Sequence, residues 1–264
     1  MPRSFFYRIL RWGYDFLATL TLWTYFTVGF VGLFSPFYLA ATVLAKDREI
    51  AFQHLNHYFY KGFFVLLKVL VPNGRWSVDE GIGAMHGSVV VCNHRSYLDP
   101  LLLISIFKQH KTIVKHQLFR LPLFGWMLKA AGYMPSSARG RLSALMLRQT
   151  EALPGYLASG GILFVFPEGT RSRDGALAAF NQGAFKLARR CRVPIQVLYI
   201  HNTEKLFRPG RFLFNTAIRQ TMRVKLLTEI RPDHYAGWSL SELLEKVHES
   251  MSSECGLPSV RRFA

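Results

Sequence analysis

The chain has 264 residues, with 33 Lys and Arg against 16 Asp and Glu, a formal net charge of +17. Half of its residues are hydrophobic and 14% are aromatic. So much apolar side chain excludes a disordered chain, and a cationic excess on an apolar composition points to a membrane face, a nucleic acid or an anionic substrate, with the apolar content favouring the membrane.

The first predicted element is an uncharged run, Phe16 to Ala45, preceded by Arg3, Arg8 and Arg11 and followed by Lys46 and Arg48. A straight helix of that length is about 45 Å long, against about 30 Å of bilayer hydrocarbon. The run is therefore one long tilted helix, or two segments broken at Gly29, Gly32 or Ser35-Pro36; proline restricts the backbone and makes Pro36 the expected kink. It far exceeds the apolar region of about 7–15 residues in a secretory signal, and no small-x-small cleavage site follows it, so it is expected to be retained. Positive charge on both flanks gives little orientation signal and suits two ends that return to one anionic face. The expectation is a membrane-associated arm at the cytoplasmic face, monotopic or re-entrant rather than spanning.

A second apolar stretch, His54 to Val71, carries Tyr58, Phe59, Tyr60, Phe63 and Phe64 together with Lys61 and Lys68. Interfacial helices have this composition, and so do buried core helices. Asn73-Gly74 marks a break. The chain accordingly divides into a helical arm, 1–72, and an α/β domain, 73–264, with a central mostly parallel or mixed sheet flanked by helices.

Ser88 to Cys92 (SVVVC) reads as a buried strand. It runs into Asn93-His94-Arg95-Ser96-Tyr97-Leu98-Asp99-Pro100 and then an apolar helical pattern. This puts His94 at the carboxyl end of a strand, where open α/β sheets carry their sites. Asp99 can hold the His94 Nδ1 proton and stabilise imidazolium, leaving Nε2 to take a proton from an alcohol. The same spacing allows a plainer reading, in which Asp99 is a helix N-cap before a first-turn proline and His94 a polar strand end.

From Pro100 through Thr150 there is no acid, while Lys108, Lys111, Lys115, Arg120, Lys129, Arg139, Arg141 and Arg148 alternate with large apolar residues. That mixture suits an anionic lipid face, an acidic carrier protein or the phosphates of coenzyme A, and also a solvated basic face. No nucleic-acid-binding motif is recognisable, so no nucleic acid partner is expected.

Gly161 to Phe166 (GILFVF) is a second buried strand, ending in Phe166-Pro167-Glu168-Gly169-Thr170-Arg171-Ser172. Gly169 permits a tight turn and close backbone approach. Arg171 offers a planar fork to phosphate oxygens beside the Thr170 and Ser172 hydroxyls, or is an ordinary solvated arginine like Arg173. Near the end, Ser239-x-x-Glu242 reads as a capping box ahead of Leu243, Leu244 and Val247. Cys92, Cys191 and Cys255 lack paired spacing, so neither a disulfide framework nor a structural zinc site is expected.

Taken together, NHRSYLD at 93–99 and FPEGTRS at 166–172, about 70 residues apart and in that order, resemble the two motif blocks of the glycerolipid acyltransferases, specifically the 1-acylglycerol-3-phosphate (lysophosphatidate) acyltransferase family. Phe180 to Lys186 and Val193 to Val197 resemble segments that follow in that family, and the similarity covers about residues 75 to 230. The resemblance implies transfer of a fatty acyl group from acyl-CoA or acyl carrier protein to the sn-2 hydroxyl of lysophosphatidate, giving phosphatidate for phospholipid biosynthesis. His94 would be the general base and Asp99 its orienting partner. Glu168, Gly169, Thr170 and Arg171 would bind the phosphate end with help from Arg139, and no cofactor or metal would be required. The family's arginine six residues after Gly132 is Ala138 here, with Arg139 next to it. That shift leaves room for another lysophospholipid, or an acylated amino-acid lipid, as acceptor. A silent membrane-binding scaffold is the non-enzyme alternative. A serine lipase is unsupported, since no G-x-S-x-G elbow is present.

Overall fold

The computed structural model describes residues 2–137, 140, 142–172 and 176–255. Helix α1 (Pro2–Thr24) passes through wider π-helical turns, Tyr25–Phe34, into α2 (Ser35–Leu44). The predicted break at Pro36 is thus absorbed by widened turns upstream of it. Phe6–Leu44 forms one helical path of 39 residues, long and apolar enough to cross a membrane.

This arm is tied to the rest of the molecule along its length. Asp15 Oδ1 accepts hydrogen bonds from Thr216 N (2.9 Å) and Thr216 Oγ1 (2.5 Å). Thr19 Oγ1 accepts from Phe214 N at 2.9 Å. The Tyr25 hydroxyl donates to Phe59 O at 2.8 Å, and that of Tyr38 to Asn56 Oδ1 at 2.6 Å. The opposite side of the arm presents Leu17, Val28, Leu33, Val43 and Leu44 to the exterior.

Helix α3 (Arg48–Leu70) starts where Asp47 accepts from Ile50 N, and buries Phe52, Phe59, Phe63, Phe64 and Leu67. Of the two readings of its aromatic stretch, the core helix is the one observed. The chain continues through β1 (Arg75–Val78), β2 (Ser88–Cys92), α4 (Leu98–Ile106), β3 (His110–Val114), α5 (Phe124–Ala130), β4 (Met134–Pro135), α6 (Leu142–Ala158), β5 (Ile162–Val165), α7 (Gly183–Cys191), β6 (Ile195–His201), α8 (Thr203–Leu206), β7 (Thr221–Ile230), α9 (Pro232–Tyr235) and α10 (Leu240–Cys255).

The seven strands form one mixed sheet in the order β1-β7-β6-β2-β5-β3-β4, parallel except for the β6–β7 pair. The central strands β2, β5 and β6 are buried at nearly every position because both faces are covered. Along β2, Val90 and Cys92 face the core under α3 and α4, while Val89 and Val91 face the core under α6, α7 and α10. Strand β5 alternates likewise, with Ile162 and Phe164 on the first side and Leu163 and Val165 on the second. The parallel pairing of β2 with β5 brings their carboxyl ends, and both motif loops, side by side. At α10 the predicted capping box is present, with Ser239 N donating to Glu242 Oε2 and Glu242 N to Ser239 Oγ.

A buried polar chain links the arm, α3 and the sheet. The Tyr38 hydroxyl donates to Asn56, Asn56 Nδ2 donates to the Tyr133 oxygen at 3.1 Å, and Tyr133 approaches His110 Nε2 at 2.5 Å. His110 Nδ1 lies 2.8 Å from Phe107 O and must donate to it, so Nε2 accepts from Tyr133. Burial pushes the His110 pKa from 6.5 down to about 3. Below 6.5 the unfolded chain takes up a proton that the folded chain refuses until about pH 3. Stability therefore falls on acidification through that window, by about 1.4 kcal/mol per pH unit from this group. In thermal unfolding followed against pH in neutral detergent, His110→Gln is expected to show a shallower acid slope than wild type by about one proton. Parallel slopes would mean that His110 is protonated while folded.

Candidate active site

Strand β2 ends at Cys92, and Asn93 fixes the start of the loop. Its side chain donates to Ile200 O (3.0 Å) and accepts from Ile200 N (2.7 Å), pinning the end of β2 to β6. His94 follows, its ring stacked on Phe166 at 4.3 Å between centroids. Its Nδ1 lies 3.1 Å from Asp99 Oδ2.

Asp99 is fully buried. A carboxylate in that position must be hydrogen-bonded to remain charged. Oδ2 accepts from the backbone N–H groups of Arg95 and Ser96, both at 2.7 Å, and Oδ1 accepts from the Thr203 hydroxyl at 2.5 Å. The plainer expectation, a capping aspartate, is corrected by this geometry. The cap position is Tyr97, and Asp99 lies inside the first turn of α4, where the Cα–Cβ bond tilts toward the helix start and returns the carboxylate to the preceding loop.

The second loop is joined to the first by two backbone contacts of His94. Its N–H donates to Glu168 Oε1 at 3.0 Å, and its carbonyl accepts from Ser172 N at 2.8 Å. Glu168 Oε2 accepts from Ala178 N at 3.2 Å. Burial raises the Glu168 pKa, while the bonds from His94 N and Ala178 N pull it back. Each carboxylate oxygen thus accepts from one backbone donor, which ties the two loops together. Gly169 adopts φ +68°, and a Cβ there would sit 2.9 Å from Asn181 Nδ2. Thr170 is exposed. Arg171 lies flat on Tyr97, its Cζ 3.3 Å from the ring centroid, and its Nη1 is buried without a hydrogen-bond partner among the described residues. The structure brings His94, Asp99, Glu168, Gly169 and Arg171 into one place. Arg139 lies outside the described residues.

Tyr97 and Thr203 also belong to this site. Tyr97 could have been suspected, because it stands between His94 and Asp99 in sequence. Thr203 gives no such signal, being 104 residues from its partner. Beside the loop lies an apolar cavity of about 460 Å³, walled by Tyr97, Leu98 and Leu101 from the start of α4, by Leu22 and Phe26 of the arm and by Met127 of α5. That volume falls in the range of small-molecule sites, about 300–1,000 Å³.

Residues 75–201 match the Acyltransferase family model. The 1-acyl-sn-glycerol-3-phosphate acyltransferase of Saccharomyces cerevisiae is 29% identical over 227 residues, 84% of this chain and 71% of that protein. A chloroplastic 1-acyl-sn-glycerol-3-phosphate acyltransferase of Arabidopsis thaliana is 36% identical over 124 residues, 47% of this chain. The chain spans about a third of the plant relatives it matches, 34% of the Arabidopsis protein and 35% of the one from Brassica napus. The crystal structure of the 1-acyl-sn-glycerophosphate acyltransferase PlsC from Thermotoga maritima superposes with a TM-score of 0.71 at 24% identity, covering 93% of this chain and 96% of that one. The α/β fold with its apolar N-terminal helix is therefore shared.

Glu168→Ala removes the acceptor for the N–H groups of His94 and Ala178; both bonds are part-buried, so the loss is that of ordinary hydrogen bonds, about 0.5–1.5 kcal/mol each. The variant is expected to lose about 1–3 kcal/mol of unfolding free energy in denaturant titration, with Glu168→Gln, which retains one acceptor, in between. An Ala variant as stable as wild type would place water where the carboxylate is.

Proposed function

We propose that the protein, whose residues 75–201 match the Acyltransferase family model, is an O-acyltransferase that moves a fatty acyl group from an acyl thioester to the free sn-2 hydroxyl of lysophosphatidate. The observation that carries this reading is the buried Asp99 against His94 Nδ1, which reserves Nε2 for an incoming hydroxyl. In the reaction the hydroxyl oxygen forms a bond to the thioester carbonyl carbon as His94 Nε2 takes its proton. The carbon–sulfur bond then breaks and the proton passes to the departing thiolate. General base catalysis of this kind is worth about 10²–10⁴-fold.

Two further features support the assignment. The cavity beside the loop is lined almost wholly by apolar side chains, an environment for the hydrocarbon tail of a lipid. Nη1 of Arg171 is buried without an acceptor among the described residues, and a phosphate oxygen would complete it, with Gly169 and Thr170 beside it; the family resemblance adds Arg139 to the same headgroup. The donor is an acyl-CoA or an acylated carrier protein, used as co-substrate, with no resident cofactor. The reading places the protein in phospholipid biosynthesis.

The arm is read as monotopic. Its polar ties run from Asp15 to Tyr38, so this stretch lies along the domain while its outer side is free to enter one leaflet at the cytoplasmic face. A silent scaffold has no use for an intact His94–Asp99 pair.

With purified protein in neutral detergent and a panel of thioesters and lysolipids, His94→Ala is expected to lower kcat by about 10²–10⁴-fold without unfolding. Preference for a neutral lysolipid over lysophosphatidate would overturn the phosphate reading. Leu101→Trp fills the cavity and is expected to shift preference toward shorter acyl chains at little cost in rate with the shortest. An unchanged chain-length profile would remove the acyl tail from that cavity.

A further inference from the structure

A second concavity, of about 580 Å³, lies between the end of the arm, the start of α3, α5 and α6, and shares no lining residue with the apolar cavity. Three cations line it from three separate helices: Arg48 of α3, Lys129 of α5 and Arg148 of α6. None of the three has an acidic partner within salt-bridge distance among the described residues.

The acid in the lining, Glu49, is already neutralised from behind. Lys111, buried on β3, places Nζ 2.6 Å from Glu49 Oε1 and 2.7 Å from Gln149 Oε1. Glu49 Oε2 accepts from Gln149 Nε2 at 3.2 Å. Nearby Asp47 is engaged in capping α3. The groove therefore presents three positive charges against a neutral floor.

Its rim identifies the surface it faces. Thr42 of the arm lines it, followed by Val43 and Leu44, 80% and 79% exposed. Trp126, across the groove, is also exposed and packs edge-on against Phe52 at 5.1 Å. A tryptophan beside basic residues, next to apolar side chains that face outward, is the composition of a membrane–water interface.

We propose that the Arg48–Lys129–Arg148 groove is a second anion site, which holds the phosphate of an anionic membrane phospholipid from the leaflet that receives the arm. It is separate from the His94 site, since its residues flank the beginning of β3 whereas His94 follows the end of the parallel strand β2. The site orients the domain on the bilayer by a charged contact at one end of the arm. This inference rests on the reading of the arm as membrane attachment.

The test compares wild type with the triple variant Arg48→Gln, Lys129→Gln, Arg148→Gln. A second triple variant, Arg75→Gln, Arg190→Gln, Arg192→Gln, removes the same charge from exposed positions on β1 and at α7, away from the groove. Each is floated with phosphatidylcholine vesicles and with vesicles that also contain phosphatidylglycerol. At about 1 kcal/mol per cation near an anionic surface, the groove variant is expected to lose about a hundredfold in affinity for the anionic vesicles, with the control triple close to wild type. Both triples should bind phosphatidylcholine as wild type does. Equal losses in the two triples would reduce the effect to net charge and overturn the site. Displacement of wild type by inorganic phosphate, beyond that caused by chloride at matched ionic strength, would overturn the lipid assignment. Failure of wild type to bind either vesicle would instead sink the membrane reading of the arm. Turnover in neutral detergent should be unchanged in the groove variant, and a large fall there would make the groove part of the reaction site.

Discussion

The buried carboxylate of Asp99 is the constraint around which the site is organised. An isolated charge removed from water is costly, and here the cost is offset by donors from several parts of the chain: His94 Nδ1, the backbone of Arg95 and Ser96, and the Thr203 hydroxyl. Two of those donors are consecutive amides of the loop, so the loop must curl around the first turn of α4. That curl explains the spacing of His94 and Asp99. A shorter connection would not let the aspartate side chain, tilted back toward the helix start, meet the ring from the strand end. The Thr203 bond then ties this first loop to the chain immediately after β6, and the Glu168 carboxylate ties it to the turn after β5. The ring is held between two loops from neighbouring parallel strands, and its orientation is inherited from the sheet.

Much of this arrangement is legible in the sequence because its causes are local. SVVVC and GILFVF read as buried strands, and they are strands of the sheet interior. The motif loops follow directly from them. What could not be read depends on contacts distant in the chain. No spacing relates Thr203 to Asp99. Glu168 reads as a substrate ligand because it sits among Gly169, Thr170 and Arg171, yet the two amides that occupy its oxygens belong to residues 94 and 178. The aromatic stretch of α3 was ambiguous for a physical reason. An interfacial helix and a core helix need the same side chains, and only the position of the sheet decides which one forms. Lys111 belongs to the same class: in the acid-free stretch it reads as one more surface cation, but it is 1% exposed and held by Glu49 from another helix.

The arm carries more than attachment. Leu22 and Phe26 wall the apolar cavity, and Tyr38 ends the buried polar chain that reaches His110. An anchor joined by a free linker would need none of these contacts. With them, the arm is held in a fixed relation to the His94 loop by packed side chains, and on the proposed reading an acyl tail leaving the membrane would meet apolar surface contributed by the arm itself. The widened turns at Tyr25–Phe34 fit this role, because they let a long apolar helix bend along the domain without losing its backbone bonds to a sharp break.

The net charge of +17 then has a physical division of labour. Arg171 lies on Tyr97 beside the His94 loop, with a donor unpaired among the described residues. Lys111 is spent inside the protein, where its pairing with Glu49 prevents the groove's acid from cancelling the cations around it. An isolated buried ion pair is weak evidence for stability, since desolvation consumes most of the attraction. The value of this one lies in what it does to the surface above it: with Glu49 neutralised from below, Arg48, Lys129 and Arg148 act as an uncompensated set. On the proposed readings, one phosphate would be held where the bond is made and another where the protein meets the leaflet, and the two cavities have no lining residue in common.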